Sequence, residues 1–287
     1  MSEGVHPRAD ELDSLTTLEL VELMHAEDAH ALEAIDAQLG QIAAAIEAIA
    51  ERLRSGGRLH YFGAGTSGRI GALDALELTA TFGIEAALVQ AHEGGDDEHE
   101  DDEHRGRDDA QRSGAGAGDV ALGISASGTT GYVVSAIRTA KAAGATVVAL
   151  TCTPGSPLGL AADIAIEIET GPEVIAGSTR LKAGTVQKVT LNMISTGTFT
   201  RLGHTYRGRM VNVVVTNDKR RSRAVRLVAE LGGASMELAA RALSDARGDT
   251  KAAILMLRRG VSAQQAADLL SAAGGNLDAT LSEARRP

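Results

Sequence analysis

Leu59-His60-Tyr61-Phe62-Gly63-Ala64-Gly65-Thr66-Ser67-Gly68-Arg69 is the stretch whose pattern decides the fold. Its first half is short, mostly apolar and non-alternating, as expected of a strand buried on both faces of a parallel sheet. Its second half is a corner, where glycines turn the backbone tightly and expose successive N–H groups before helical periodicity begins. The same order of apolar run, small residues and helical period recurs around the runs at 86–90, 120–125, 146–151 and 164–168. Strand, loop, helix, strand is the signature of an α/β sheet with right-handed connections.

Outside this region the chain reads as helical. Residues 15–55 carry a capping Thr16, an apolar face from Leu18, Leu20, Leu23 and Met24, and a stop at Gly56-Gly57. A long helix is expected from about Ser178 to Leu202, and no strand pattern remains beyond about 221. That last region echoes itself at a period of 27: Ser235/Ser262, Ala239/Ala266, Leu243/Leu270, Gly248/Gly275 and Ala252/Ala279. Two copies are too few for a solenoid, so a small duplicated or pseudo-symmetric helical bundle is expected. The organisation is thus N-terminal helices over 1–54, a three-layer αβα domain over 55–225 and a helical bundle over 226–287.

Composition narrows the function classes. The chain has 287 residues, 44% hydrophobic and 23% charged, enough for one large core or a large domain plus a small one. There is no Trp, with three Phe and three Tyr, which argues against a base-stacking surface. A net charge of −10 argues against nucleic acid and anionic membranes as partners. No apolar run approaches the roughly 20 residues of a membrane span, and the first residues lack a signal-peptide pattern. Cys152 is the single cysteine, so no internal disulfide forms, and it reads as packing rather than as a nucleophile. A reducing, cytoplasmic setting is expected.

Chemistry is expected at two strand-to-helix corners. In the first, Gly65, Thr66 and Ser67 stand at a helix N-terminus, where the backbone dipole favours an anion. Gly63, Gly65 and Gly68 also spell G-x-G-x-x-G, but no ribose-binding acid is convincingly placed about 20 residues on, so a dinucleotide site is disfavoured. The second corner, Ser125-Ala126-Ser127-Gly128-Thr129-Thr130, offers four hydroxyls and a glycine, a neutral cradle that holds phosphate by O–H and N–H donors. Both corners fall at the carboxyl ends of strands, where open α/β sheets bind ligands. Residues 93–109 hold ten acids with His99 and His104 among them, and read as a solvated loop or exposed helix. No His/Cys pair has compact zinc spacing, and no metal site is expected.

These motifs together resemble the sugar isomerase (SIS) domain, and within that superfamily the chain resembles the N-acetylmuramic acid 6-phosphate etherase family. The resemblance covers most of the chain. It includes Leu73-Asp74-Ala75, Glu77, Thr81-Phe82-Gly83, the block Pro172-Glu173-Val174-Ile175-Ala176-Gly177-Ser178-Thr179-Arg180-Leu181-Lys182-Ala183-Gly184-Thr185, then Gln187-Lys188, Leu191-Asn192-Met193 and Thr216-Asn217. The C-terminal echo is similar to the small ubiquitin-associated-like (UBA-like) domain that closes this family. The resemblance implies a cytoplasmic lyase that removes D-lactate from N-acetylmuramic acid 6-phosphate, with no metal or organic cofactor and as a homodimer. Position by position, it implies Glu77 as the acid that protonates the leaving lactate and Glu100 as the base. It also implies that Ser178 caps a helix and reaches the ligand, that Lys182 supplies positive charge, and that Lys251 reaches over a partner's sugar site.

Departures from the family pattern fall near the expected site. Thr129 and Gly131 stand where the family has an arginine and a proline, and Leu78-Thr79-Ala80 replaces Cys-Pro-Pro. The acidic stretch before Glu100 is shortened, and Ser2, Glu3 and His6 stand where the family has Thr-Glu and an asparagine. Thr cannot replace an arginine's charge or its bidentate geometry. Two further readings therefore stand beside the etherase: a sugar-phosphate-sensing regulatory protein without turnover, related to the glucokinase regulatory protein, and an SIS enzyme acting on a different phosphosugar.

Overall fold

The computed structural model describes residues 4–95, 99–213 and 218–282. Ser2, Glu3, Thr216 and Asn217 lie outside them. The chain divides into two compact units, one of residues 1–76 with 86–196, the other of residues 77–85 with 197–287. Among the described residues no helix is long and apolar enough to cross a membrane.

The first unit is an α/β sandwich. Five parallel strands, β1 (Leu59–Gly63), β2 (Val89–Glu93), β3 (Val120–Ser125), β4 (Thr146–Thr151) and β5 (Ile164–Glu167), lie in the order β2-β1-β3-β4-β5. All residues of β1 and β3 are buried, as their apolar, non-alternating composition requires. Strands β3 and β4 have the bounds expected from sequence. The β2 run is displaced: residues 86–88 form the approach, and pairing with β1 runs Leu59↔Val89 through Gly63↔Glu93. Pairing and the stacking of His92 on Phe62, ring centres 4.6 Å apart, draw polar residues into this edge strand. β1 pairs with β2 on one side and β3 on the other, so the connections leaving β1 and β3 diverge, and a crevice opens between their carboxyl ends.

The N-terminal helical region is broken where sequence suggests continuity. α1 (Thr17–Glu33) starts with a capping box, the Glu19 N–H donating to Thr16 Oγ1 while the Glu19 carboxylate accepts from the Thr16 N–H at 2.8 Å. α2 (Leu39–Arg54) buries Ile42, Ala45, Ile49 and Leu53 on one face. Between them a 3-10 segment, Ala34–Gln38, releases the Gln38 side chain to accept from the β5 backbone N–H of Glu167 at 3.2 Å. Of the α1 residues read as its apolar face, Leu23 is buried, but Leu18 remains 66% exposed.

Helices α3 (Gly65–Phe82), α4 (Glu103–Ser113), α5 (Gly131–Ala142) and α6 (Pro157–Ala161) follow β1, β2, β3 and β4, and α7 (Lys182–Arg201) follows β5. The acidic run ends in α4, whose N-cap is Asp102. Buried Asp74 on α3 ties three elements together, accepting from Tyr61 OH at 3.0 Å, Asn192 Nδ2 at 2.9 Å and Ser195 Oγ at 3.1 Å. This explains the Asp74 and Asn192 positions of the family-like blocks as scaffold. Cys152 is buried and its thiol is pushed up to about 12 by burial, so it packs rather than reacts.

The second unit contains a short hairpin, β6 (Thr205–Tyr206) with β7 (Arg209–Met210), and helices α8 (Asp218–Gly232), α9 (Met236–Asp245), α10 (Thr250–Arg259), α11 (Ala263–Ala272) and α12 (Leu277–Ser282). The 27-residue echo has a structural meaning. Ser235 and Ser262 are N-caps, accepting from the N–H groups of Leu238 and Gln265. Ala239 and Ala266, Leu243 and Leu270 are buried at matching places. The Gly248 and Gly275 N–H groups then bond to Leu243 and Leu270 carbonyls, and Asp249 and Asn276 cap the next helices. Each copy is one αα-hairpin.

Candidate active site

The two corners converge on a cavity of about 340 Å³ in the first unit. Thr66 and Ser67 come from the first turn of α3, Ser125 from the end of β3, Ser127 from the corner and Thr130 from the N-cap of α5. Thr179, from the loop before α7, brings the lining to six hydroxyl side chains, and Glu100 is the one ionisable residue among them. Among the described residues no cationic side chain lines the cavity. Two helix N-termini supply positive potential instead, each equivalent to about half a charge, and their first-turn N–H groups have no partners within the helix.

Hydrogen bonds inside the corner decide where the hydroxyl protons are available. Ser127 Oγ accepts from both the Thr129 N–H at 3.2 Å and the Thr129 hydroxyl at 2.9 Å, which leaves its own proton to donate elsewhere. Ser125 Oγ accepts from the Gly128 N–H at 3.0 Å and shares a 2.9 Å bond with Thr130 Oγ1. Ser67 donates to Gln187 Oε1 on α7 at 3.0 Å, and the amide nitrogen of Gln187 is buried without a partner among the described residues. Gly128 has φ +69°, and a Cβ there would lie 2.2 Å from Ser156 Oγ, so the corner excludes any larger residue.

Glu100 sits half-buried just before α4, its carbonyl accepting from the Tyr132 N–H at 2.9 Å. The departure at Gly131 belongs to this arrangement: a Cβ there would stand 2.9 Å from the Asp101 carbonyl oxygen. Glycine lets the backbone next to Glu100 lie against the start of α5. Thr129, at the family's arginine position, is exposed and spends both its donors on Ser127.

Of the residues read from sequence as ligand-contacting, Thr66, Ser67, Glu100, Ser125, Ser127 and Thr130 line this cavity. Gly65 opens α3, with φ +52°, next to Thr66. Ser178 is half-buried between two lining residues, Gly177 and Thr179, and does not cap α7. The helix begins at Lys182 because the buried Glu173 carboxylate accepts from the Lys182 and Ala183 N–H groups at 3.2 and 3.0 Å. Burial pushes the Glu173 carboxyl up, and these N–H bonds and the Lys182 charge counter it.

Lys182 lies elsewhere. Its ammonium is ion-paired with Glu27 and lines a separate cavity of about 180 Å³. Glu27 also faces His6, with Nε2 3.3 Å from its carboxylate, while His6 Nδ1 accepts from the Arg8 N–H. His6 therefore carries its proton on Nε2 when neutral. In the second unit, Lys251 on α10 donates to the Gly275 carbonyl at 2.9 Å, and burial holds its ammonium below the usual range. Glu77 is exposed on α3 and is not among the residues that line the 340 Å³ cavity. The lining residues Gly177 and Thr179 and the Ser67 partner Gln187 were not read from sequence; the first two lie in the block around Ser178 and Gln187 two residues beyond its end, which was the available signal.

Residues 25–152 match the model of the SIS domain. The chain is 46% identical to an N-acetylmuramic acid 6-phosphate etherase from Mycolicibacterium smegmatis, covering 96% of this chain and 95% of that one. It is 46% identical to an N-acetylmuramic acid 6-phosphate etherase from Rubrobacter xylanophilus, covering 100% of this chain and 97% of the relative. Among solved structures, a phosphoheptose isomerase from Francisella tularensis superposes with a TM-score of 0.52 at 18% identity, covering 65% of this chain and 100% of that one. That likeness shows the fold of the α/β portion.

Proposed function

The chain belongs to the N-acetylmuramic acid 6-phosphate etherase family, and from that premise we infer that it is a carbon–oxygen lyase converting N-acetylmuramic acid 6-phosphate to N-acetylglucosamine 6-phosphate and D-lactate. The observation that carries this reading is the hydroxyl-lined cavity with Glu100 as the one carboxylate on its wall among the described residues. The phosphate is held by Thr66, Ser67, Ser125, Ser127 and Thr130 together with the N-termini of α3 and α5. In the open-chain sugar the aldehyde acidifies the proton on carbon 2, and Glu100 removes it. Lactate leaves from carbon 3 with a proton from an acid, the role assigned to Glu77 by position in the family. Water then adds across the double bond of the unsaturated aldehyde. The elimination moves protons and one electron pair within the sugar, so its balance requires no redox cofactor.

We further assign the reaction to the cytoplasm and the working form to a homodimer. The exposed apolar residues of α1, with Leu18 and Val21 among them, support a buried partner surface. General acid–base help is worth roughly 10²–10⁴-fold per group. Incubation with N-acetylmuramic acid 6-phosphate is expected to release D-lactate, and Glu100→Gln is expected to reduce release by that factor while phosphosugar binding persists. Sugar phosphate that raises Tm in the unmodified protein without any lactate release would favour the regulatory reading instead.

A further inference from the structure

We propose that the second unit carries an anion site of its own, built by Arg207, Arg258 and Arg259, that takes a compact phosphate-bearing ligand. These arginines line a cavity of about 260 Å³ together with Tyr206, Asp278 and Leu281. Among the described residues, three guanidinium groups against one carboxylate give this cavity a net positive charge, in a chain whose net charge is −10. Two other arginines of the unit are ion-paired, Arg209 with Glu230 and Arg241 with Glu237. Among the described residues no carboxylate forms an ion pair with Arg207, Arg258 or Arg259. Arg259 donates one terminal N–H to the Thr280 carbonyl, and its Nε is buried without a partner among the described residues.

The backbone supplies a second, independent observation. Arg207 and Gly208 form the two-residue link of the β6–β7 hairpin, across which Tyr206 pairs with Arg209. Both residues have positive φ, +47° and +70°. Such links favour Asn-Gly or Gly-Gly, because a larger L-residue is strained there. An arginine is held in this place, with its guanidinium 5.3 Å from the Tyr206 ring centre and on the wall of the cavity. Backbone strain of this kind clusters at ligand-binding positions. Planar guanidinium forks match the oxygens of phosphate two at a time. A volume below the roughly 300–1,000 Å³ of ordinary small-molecule sites suits inorganic phosphate or a small phosphate ester.

The test is calorimetric titration of the full chain with inorganic phosphate at low ionic strength, comparing the unmodified protein with Arg207→Asn/Arg258→Gln. The double variant is expected to bind one phosphate fewer per chain, whether or not the hydroxyl-lined cavity binds inorganic phosphate. A failure here is therefore distinct from a failure of the lyase reading. Arg207→Asn alone suits the left-handed turn and guards against misfolding; it is expected to weaken the same equivalent at least tenfold with Tm unchanged. A parallel titration with N-acetylglucosamine 6-phosphate separates the two ligand sources. Loss of one equivalent with both ligands identifies a site that accepts esters, and loss with inorganic phosphate alone identifies a site for the free anion. Equal stoichiometry in the unmodified protein and both variants would overturn the proposal.

Discussion

The two ends of β1 and β3 are built from the same pair of strands, yet they treat polar groups in opposite ways. At the amino end, Asp119 accepts from the Arg58 N–H at 2.8 Å, the Arg58 guanidinium at 3.1 Å and the Gly116 N–H at 3.2 Å. At the carboxyl end, Ser67, Ser125, Ser127 and Thr130 surround a cavity whose positive potential comes from helix termini. One end closes its polar groups on each other and holds the fold. The other ties Ser67 to Gln187 and Ser125 to Gly128, yet leaves the Ser127 hydroxyl proton to donate to a ligand.

Substitutions at the two ends are expected to act differently, with the largest effect at the amino end. Burial favours raising the Asp119 carboxyl, but the bonds from Arg58 and Gly116 outweigh it and hold it below the usual carboxylate range. Asp119→Ala strands those donors, and charge-assisted bonds are worth about 1.5–3 kcal/mol each. A loss near 4 kcal/mol in denaturant unfolding is expected, with KM unchanged in the protein that remains folded. A large KM change would erase the contrast.

His60 gives the next effect. It is fully buried, with Nδ1 3.2 Å from His92 Nε2 and Nε2 4.0 Å from Asp119. Burial, followed by the His92 and Arg58 charges, lowers its pKa from 6.5 to about 4. Between those values the unfolded chain binds the extra proton and the folded chain does not, so stability falls as pH drops from about 6.5 towards 4. At about 1.4 kcal/mol per pH unit of difference, the group contributes roughly 3 kcal/mol over the window. Unfolding free energies measured across it are expected to show a shallower slope in His60→Leu; an unaltered slope would sink the assignment.

The smallest effect separates the ends most cleanly. Ser127→Ala removes one donor from the cavity wall while the neighbouring Ser125–Gly128 bond persists. Substrate KM is expected to rise about fivefold, matching roughly 1 kcal/mol for one hydrogen bond, with Tm essentially unchanged. A fall in Tm with constant KM would assign Ser127 to the fold instead.

Much of this was legible in the chain. Strands at 59–63, 120–125 and 146–151, the Thr16 cap and the paired helical hairpins after 235 could be read because each depends on local chemistry. Apolar runs mark buried strands, hydroxyls cap helices, and glycines occupy left-handed turns. The hydroxyls of both corners were also legible, since a corner between strand and helix presents them wherever the strand ends.

Residues joined by tertiary contacts were not legible in the same way. β2 took its bounds from its partner β1 rather than from its own apolar run. The α7 start was moved to Lys182 by a carboxylate nine residues earlier, Glu173, through the Lys182 N–H. Lys182 itself went to Glu27, 155 positions away in the chain, because a nearly buried ammonium requires a carboxylate and Glu27 supplies one. Sequence alone therefore determined the elements, the two hydroxyl corners and the family. Tertiary structure alone decided which charges meet, as Lys182 meets Glu27, and which side chains, Glu100 among them, come to line the cavity, because burial and pairing depend on neighbours that sequence spacing does not encode.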